Sequence, residues 1–326
     1  MQVLITGGTG VNGSWVVREL VNEGINPVIY DYAIDTAMIK DIVDKVQLVK
    51  GDILDFAAFL RTIKENKITH IIHLAALMPA QAQANPLYGF QVNALGTVLV
   101  LEAARIMDIE RVVYTSSKAA YGAITGKAAY PTYEPVNEDY PRYPVKVYDV
   151  AKVASEGMCN VYNENYGLDY VAFRFASIIG PGKLTRHGPM SIHSKLIENA
   201  MLGKPTKIPH GADEKDDMVY VKDIAHAIVL GLKAKNLKHR VFNIGSGKGY
   251  TLVDLANVIK KIYPNSQIEI GPGLDYMSAG VPYYCIFDIS RAREELGYEP
   301  RYTLEDMVRD YIDTMKKMGI EPMYTP

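Results

Sequence analysis

The chain has 326 residues, of which 48% are hydrophobic and 22% are charged, so it is long enough to bury a large core and form two domains. A net charge of −2 and a pI near 6.4 exclude the basic surface typical of binding to nucleic acid or an anionic membrane. The initiator methionine runs straight into an apolar segment, and no apolar stretch reaches the length of about 20 residues that spans a bilayer. The sequence therefore predicts a cytoplasmic protein with no membrane or nucleic-acid partner. Cys159 and Cys285 lie far apart without a Cys/His cluster, so neither a disulfide framework nor a metal site is expected.

The N-terminus reads as a strand, a glycine loop and a helix. An apolar run at residues 2–6 is followed by a glycine-rich turn and then by a helical pattern over residues 14–23. Glycines let backbone amides approach a pyrophosphate, and the helix N-terminus adds free N–H groups and a partial positive charge. The predicted dinucleotide-binding residues of this loop are Gly7, Gly10, Val11, Asn12 and Gly13.

An acidic residue ends the second predicted strand. Residues 27–30 form that strand, and Asp31 follows it about 20 residues after the glycine loop. A carboxylate at this place accepts hydrogen bonds from both ribose hydroxyls and repels a 2′-phosphate, and no arginine follows within the next several positions. NAD is therefore favoured over NADP as the cofactor.

Strand-like and helix-like segments alternate through the first half of the chain, which is typical of a parallel sheet with crossover helices. We predict an α/β fold of the Rossmann type, a doubly wound parallel sheet with a smaller C-terminal substrate domain. The predicted strands are residues 2–6, 27–30, 46–50, 70–74, 111–115 and 170–175, and the helices include residues 14–23, 55–65, 88–107 and 148–166.

Such a sheet binds its ligand beyond the carboxyl ends of its strands, so residues at these ends are candidate cofactor contacts. Small and hydroxyl-bearing residues there are also common as simple packing residues, and the two interpretations stay open for each. The candidates are Asp52, Ile53, Leu74, Ala75, Ala76, Thr115, Ser117 and Phe175.

A tyrosine and a lysine stand four residues apart in the predicted helix 148–166. This spacing places Tyr148 and Lys152 on one helix face, where the ammonium is expected to lower the pKa of the phenol toward working pH. A phenol tuned in this way exchanges a proton with a substrate hydroxyl while a hydride moves. The alternative is a plain surface pair in a tyrosine-rich chain.

The pattern changes after residue 176, where Gly and Pro punctuate the chain. We predict an NAD-binding domain over residues 1–176, with a return around residues 217–247, and a mainly substrate-binding domain over residues 177–326.

Taken in order, these motifs resemble an extended short-chain dehydrogenase/reductase of the NAD-dependent epimerase/dehydratase family, over nearly the whole chain. Its later part matches through Met218-Val219-Tyr220-Val221, Phe242-Asn243-Ile244-Gly245 and Asp288-Ile289-Ser290-Arg291.

The resemblance implies roles for individual residues. Tyr148 is expected to be the general acid/base, Lys152 its electrostatic partner and a ribose ligand, and Ser117 a hydrogen-bond partner of the reacting oxygen. Asn93 matches a position that shapes the site and is a further candidate cofactor contact, although an ordinary helix asparagine fits equally well.

Departures from the family pattern bear on the substrate. Lys118-Ala119 stand where 4,6-dehydratases carry an Asp-Glu pair, so a dehydratase is not expected. Asp216 and Ser278 stand near the places where nucleotide-sugar enzymes carry arginines for the diphosphate, and an aspartate repels that group. This favours a small polyhydroxylated substrate: a free sugar, a sugar acid or a hydroxy acid.

Four residues are candidate substrate contacts. Lys118, next to Ser117, could bind a carboxylate or phosphate or could be a surface lysine. The others are Ser177, Arg186 and His187, of which the last two could equally lie on a loop surface.

Three functions remain open: an NAD-dependent dehydrogenase, a nucleotide-sugar 4-epimerase that retains its NAD, and a non-catalytic NAD sensor. The sequence leans to the dehydrogenase because returning a hydride to the opposite face requires an intermediate that rotates, commonly about a diphosphate. Helices 88–107 and 148–166 correspond to those that pair two copies in this family, so a homodimer is expected, with a monomer as the alternative.

Overall fold

A computed structural model of the chain describes residues 1–187, 191–281 and 283–326. Within these residues, seven parallel strands form one sheet in the order β10-β6-β5-β4-β1-β2-β3. Its strands are β1 Val3–Thr6, β2 Val28–Asp31, β3 Gln47–Lys50, β4 His70–His73, β5 Arg111–Thr115, β6 Tyr170–Phe175 and β10 Val241–Ile244.

The remaining strands form small sheets in the C-terminal half. Their bounds are β7 Ser177–Ile179, β8 Thr206–Ile208, β9 Asp216–Tyr220, β11 Gly249–Tyr250 and β12 Ile268–Ile270. The described helices are α1 Val11–Asn22, α2 Phe56–Glu65, α3 Pro79–Ala84, α4 Pro86–Phe90, α5 Gly96–Ile106, α6 Val147–Tyr166, α7 Lys183–His187, α8 Ile192–Met201, α9 Val221–Lys233, α10 Leu252–Ile262, α11 Ser290–Leu296 and α12 Leu304–Met318.

Both faces of the main sheet are covered by helices, which is the expected arrangement for parallel strands. Along β1, Val3 and Ile5 point into a core that includes residues of α1 and α9, whereas Leu4 points into a second core with residues of α2 and α5. The doubly wound fold predicted from the sequence is therefore confirmed. The division of the chain into domains at residue 176 stays a prediction.

Helix α1 begins at Val11, three residues before the start predicted from the hydrophobic pattern. Gly13 thus lies inside the first turn, where a Cβ would be 2.2 Å from the carbonyl oxygen of Gly7. The close contact between loop and helix explains why the helix includes the last glycine of the loop.

The predicted helix over residues 88–107 is interrupted. Residues Gln91–Leu95 form a π-helical turn between α4 and α5. Taken as one helix, Pro86–Ile106 is long and apolar enough to cross a membrane by length and composition, with 56% of its most apolar stretch buried within the fold. The expectation that no apolar stretch reaches this length is therefore wrong, although a core helix passes the same test.

A buried polar network joins α6 to the sheet. Glu156 of α6 pairs with Arg174 of β6, at 2.6 Å between Oε2 and Nη2, and accepts a hydrogen bond of 2.5 Å from the hydroxyl of Ser116. The side chains of Glu156 and Arg174 are only 2% and 4% exposed. The network holds α6 against the ends of β5 and β6.

We expect Glu156→Ala to lower the free energy of unfolding by about 3–5 kcal/mol, because it leaves the Arg174 charge buried without a partner. Denaturant unfolding measures this loss. Glu299→Ala, which breaks an exposed ion pair with Arg293, is the control and should change stability little. Equal effects of the two substitutions would contradict the role of the network.

Candidate active site

A single cleft of about 680 Å³ runs along the carboxyl ends of the main strands. Every cofactor contact predicted from the sequence lines it except Asn93. These lining residues are Gly7, Gly10, Val11, Asn12, Gly13, Asp31, Asp52, Ile53, Leu74, Ala75, Ala76, Thr115, Tyr148, Lys152 and Phe175. The parallel order of the strands brings together residues that are far apart in the sequence.

The glycine loop presents bare backbone to the cleft. Gly7 has a φ of +72°, and a Cβ there would lie 2.9 Å from the amide nitrogen of Ala75. Gly10 caps α1 without any side-chain hydrogen bond, so no capping side chain covers the first amides of the helix. A helix N-terminus of this kind binds a phosphate.

The cleft fits a dinucleotide at this end. The side-chain oxygen Oδ1 of Asn12 is buried without a hydrogen-bond partner, as a group that awaits a ligand would be. Asp31 accepts hydrogen bonds at Oδ2 from the amide (3.0 Å) and the hydroxyl (2.6 Å) of Thr9. These bonds fix the Asp31 carboxylate at the end of β2, where it can accept hydrogen bonds from ribose hydroxyls.

The catalytic candidates meet in the middle of the cleft. Helix α6 starts where the carboxylate of Asp149 accepts hydrogen bonds from the amides of Lys146 (3.1 Å) and Val145 (3.3 Å), which places Tyr148 in the first turn. One turn later, Lys152 lies with Nζ 2.6 Å from the carbonyl oxygen of Thr115 and 5.3 Å from the centre of the Tyr148 ring.

Burial, rather than the lysine, dominates the pKa of the tyrosine. It raises the pKa of Tyr148 to about 12, opposed in part by a hydrogen bond with Ser117. Burial also lowers the pKa of Lys152 to about 8. The sequence-based expectation of a lowered phenol pKa is wrong for the protein alone, because burial outweighs the hydrogen bond with Ser117. Without a ligand the phenol of Tyr148 is therefore neutral, and it must lose its proton before it can act as a base.

The substrate end of the cleft contains a buried ion pair. Lys118 Nζ lies 2.5 Å from Oδ2 of Asp216 and 2.8 Å from the hydroxyl of Ser177. Asp216 is fully buried, and the Lys118 side chain is 11% exposed. Lys118 is therefore no surface lysine, and its charge is already balanced within the protein.

Arg186 and His187, the other predicted substrate contacts, also line the cleft. Arg186 donates to the carbonyl oxygen of Thr9 and to the carboxylate of Asp35, so its guanidinium serves the cofactor side. Burial lowers the pKa of His187 to about 3, so its imidazole is neutral at pH 7.

Asn93 lies behind the cleft wall. Its side-chain amide exchanges hydrogen bonds with the backbone N–H (2.7 Å) and carbonyl (2.9 Å) of Leu77, which uses both ends of the amide. Asn93 therefore holds the segment after β4 in place and does not reach the ligand space.

Several lining residues carried no recognisable local signal. Thr9 lies within the glycine loop but is not a glycine, and Lys146 and Lys183 stand beside motifs rather than in them. Tyr276 comes from a distant part of the C-terminal half, so only the tertiary structure brings it to the cleft, whereas His193 follows Arg186 and His187 closely in the sequence.

We expect Asp31→Ala to weaken NAD binding by about 10–100-fold, since hydrogen bonds to a charged group contribute about 1.5–3 kcal/mol. NADP binding should not weaken in parallel, because the substitution also removes the repulsion of a 2′-phosphate. Calorimetric titration with both cofactors measures this, with Asp44→Ala, at an exposed position, as the control. Equal affinity of the unsubstituted protein for NAD and NADP would contradict the assignment.

Comparison with known proteins agrees with this geometry. Residues 3–245 match the model of the NAD dependent epimerase/dehydratase family. A UDP-glucose 4-epimerase from Lactobacillus helveticus is 30% identical over 324 residues, covering 94% of both chains. The structure of a UDP-glucose 4-epimerase from Thermotoga maritima with UDP-glucose is similar with a TM-score of 0.84 at 25% identity, covering 97% of this chain and 99% of that one. A GalE-like L-threonine dehydrogenase from Cupriavidus necator is similar with a TM-score of 0.83 at 25% identity, covering 96% and 99%. The chain belongs to the NAD-dependent epimerase/dehydratase family, and its cofactor is NAD.

Proposed function

We propose that this protein is a nucleotide-sugar 4-epimerase that keeps its NAD bound. The observation that carries the proposal is the full-length similarity to UDP-glucose 4-epimerases, in a chain whose cleft contains Ser117, Tyr148 and Lys152 together. The proposal departs from the preference for a dehydrogenase that the sequence alone suggested.

The three residues have separate tasks in this reaction. Bound NAD supplies the hydride acceptor and, once reduced, the hydride donor. Tyr148 acts as its phenolate: it takes the proton of the sugar hydroxyl as the hydride leaves, and the phenol so formed returns that proton to the ketone oxygen when the hydride comes back. Ser117 donates a hydrogen bond to the same oxygen. The Lys152 ammonium, close to the Tyr148 ring, favours the phenolate over the neutral phenol and also holds the end of β5.

The sequence-based objections to a nucleotide sugar were Asp216 and Ser278, which stand in place of arginines, and the surroundings of Asp216 weaken the first of them. The Asp216 carboxylate is buried and paired with Lys118, so it does not present a free negative charge to a ligand. Lys146 and Lys183 line the same cleft and supply cations, although burial lowers the pKa of Lys183 to about 7.

A dehydrogenase acting on a small alcohol is the second candidate. Among the described residues that line the cleft, Arg186 is the one arginine. Its guanidinium donates hydrogen bonds to Thr9 and Asp35 at the cofactor end. A cleft without an arginine at its substrate end favours a substrate without a diphosphate. The similarity to an L-threonine dehydrogenase supports the same alternative. A sensor without catalysis would not need the complete set of Ser117, Tyr148 and Lys152.

We expect the NAD-loaded protein to convert UDP-galactose to UDP-glucose without net formation of NADH. Tyr148→Phe should reduce turnover by about 10²–10⁴-fold because it removes the proton carrier, and Ser117→Ala by about tenfold because it removes one hydrogen bond. Chromatography of the sugar nucleotides and absorbance of NADH measure the two outcomes.

Tyr166→Phe, at the exposed far end of α6, is the matched control and should keep full activity. Stoichiometric formation of NADH from an alcohol, with no interconversion of the sugar nucleotides, would refute the proposed epimerase and support the dehydrogenase. Near-normal turnover in Tyr148→Phe would overturn the mechanism for both.

We also propose that the protein is a homodimer paired through helices Pro86–Ile106 and α6. Large apolar side chains are exposed on these helices, among them Leu95 (44%) and Val161 (40%). The double variant Leu95→Glu/Val161→Glu should shift the mass measured by light scattering from twice 36.2 kDa to that of one chain. Leu202→Glu, an exposed leucine elsewhere, should leave the dimer intact. A monomeric unsubstituted protein would refute the proposal.

A further inference from the structure

The wall of the cleft next to Ser117 is organised around the carboxylate of Asp216. Its Oδ2 atom accepts hydrogen bonds from Lys118 (2.5 Å), from the hydroxyl of Ser177 (2.5 Å) and from the hydroxyl of Tyr276 (3.0 Å). Its Oδ1 atom accepts one from the amide of Cys285 (3.1 Å). Asp216 therefore has its hydrogen bonds satisfied within the protein and serves as an anchor for its neighbours.

Lys118 keeps an unused donor. An ammonium has three N–H groups, and two of those on Lys118 go to Asp216 and Ser177. In the described part of the chain, the third finds no protein acceptor. Although burial opposes the charge, the adjacent Asp216 keeps the pKa of Lys118 above its ordinary value, so the ammonium stays protonated. One fixed donor is thus available one residue after Ser117.

His193 supplies a second unused group on the same wall. It is 7% exposed, and its ring packs edge-on against Tyr276 at 5.7 Å between centroids. Its Nε2 atom is buried without a hydrogen-bond partner among the described residues. Burial lowers the pKa of His193 to about 4, so the ring is neutral at pH 7 and can accept or donate a hydrogen bond.

The charges on this wall balance. Lys118 and Asp216 cancel each other, and His193 is neutral. Burial raises the pKa of nearby Glu214 to about 7 and lowers that of Lys183 to about 7, so burial weakens the charge of both groups. A carboxylate or phosphate would gain little from such surroundings, contrary to the anion contact that the sequence suggested for Lys118. An uncharged hydroxyl, which both accepts and donates hydrogen bonds, matches the free N–H of Lys118 and the neutral ring of His193.

We propose that Lys118, Ser177 and His193 form a subsite for the hydroxyl on the carbon next to the reacting carbon, so that the substrate is a vicinal diol. The subsite rests on the proposed function only in that Ser117 and Tyr148 bind the reacting oxygen. For a 4-epimerase the selected group is the 3-hydroxyl of the sugar. Asp216 is the positioning residue, because it sets the direction of the Lys118 ammonium.

The test compares UDP-galactose with 3-deoxy-UDP-galactose as ligands of the NAD-loaded protein, by calorimetry and by turnover. We expect the unsubstituted protein to bind the hydroxylated compound at least about tenfold more tightly, since a site built to bond a hydroxyl rejects an analogue without it. The double variant Lys118→Met/Asp216→Asn removes both charges at nearly constant volume. It should fold, bind NAD normally and lose the preference.

The single variants separate structure from recognition. Lys118→Met and Asp216→Asn each leave one buried charge uncompensated and should lower the melting temperature, which the double variant should restore. His193→Leu should reduce the preference for the 3-hydroxyl, whereas His210→Leu, at an exposed position, should not.

Each outcome is decisive for one of the two proposals. Equal binding of the two compounds by the unsubstituted protein, or an undiminished preference in the stable double variant, would overturn the subsite. Binding of neither UDP-galactose nor free galactose would overturn it too. Binding with the expected preference but without interconversion would refute the epimerase and leave the subsite standing.

Discussion

The docking of α6 on the end of β5 is the interaction on which the active site depends. Lys152 donates a hydrogen bond of 2.6 Å to the carbonyl oxygen of Thr115. Glu156, one turn further along the helix, accepts a hydrogen bond of 2.5 Å from the hydroxyl of Ser116. These two buried contacts join the helix that carries Tyr148 to the strand end that carries Ser117. Tyr148, which carries the proton, and Ser117, which donates the hydrogen bond, are thereby positioned for one substrate oxygen before any ligand binds.

The two ends of the cleft differ in the charges that they present to a ligand. At the cofactor end, Asp31 and the uncapped start of α1 provide complementary partners for ribose and pyrophosphate. At the substrate end, Lys118 and Asp216 neutralise each other inside the protein. The same aspartate that seemed to forbid a diphosphate is thus unavailable to repel one, and the pair instead presents one oriented N–H to an uncharged oxygen.

Local patterns in the sequence were sufficient for the fold and for much of the cleft. The apolar run at residues 2–6 located β1, and the glycine spacing located the loop, because both depend on neighbours along the chain. The pair of Lys118 and Asp216 spans 98 positions, and the burial of Tyr148 depends on the whole cleft, so neither the pairing nor the raised pKa was predictable. The role of Asn93 stayed open in the sequence because its partner, Leu77, lies on a loop that no pattern describes.

The most direct test of the account follows the hydrogen that moves. UDP-galactose labelled with deuterium at C4 is incubated with the NAD-loaded protein, and the UDP-glucose formed is examined by mass spectrometry and NMR. The account predicts that the deuterium stays at C4 of the product, because the hydride is removed and returned within one closed site while Tyr148 handles only the hydroxyl proton. Loss of the deuterium to water, or its release in free NADH, would contradict the proposed reaction.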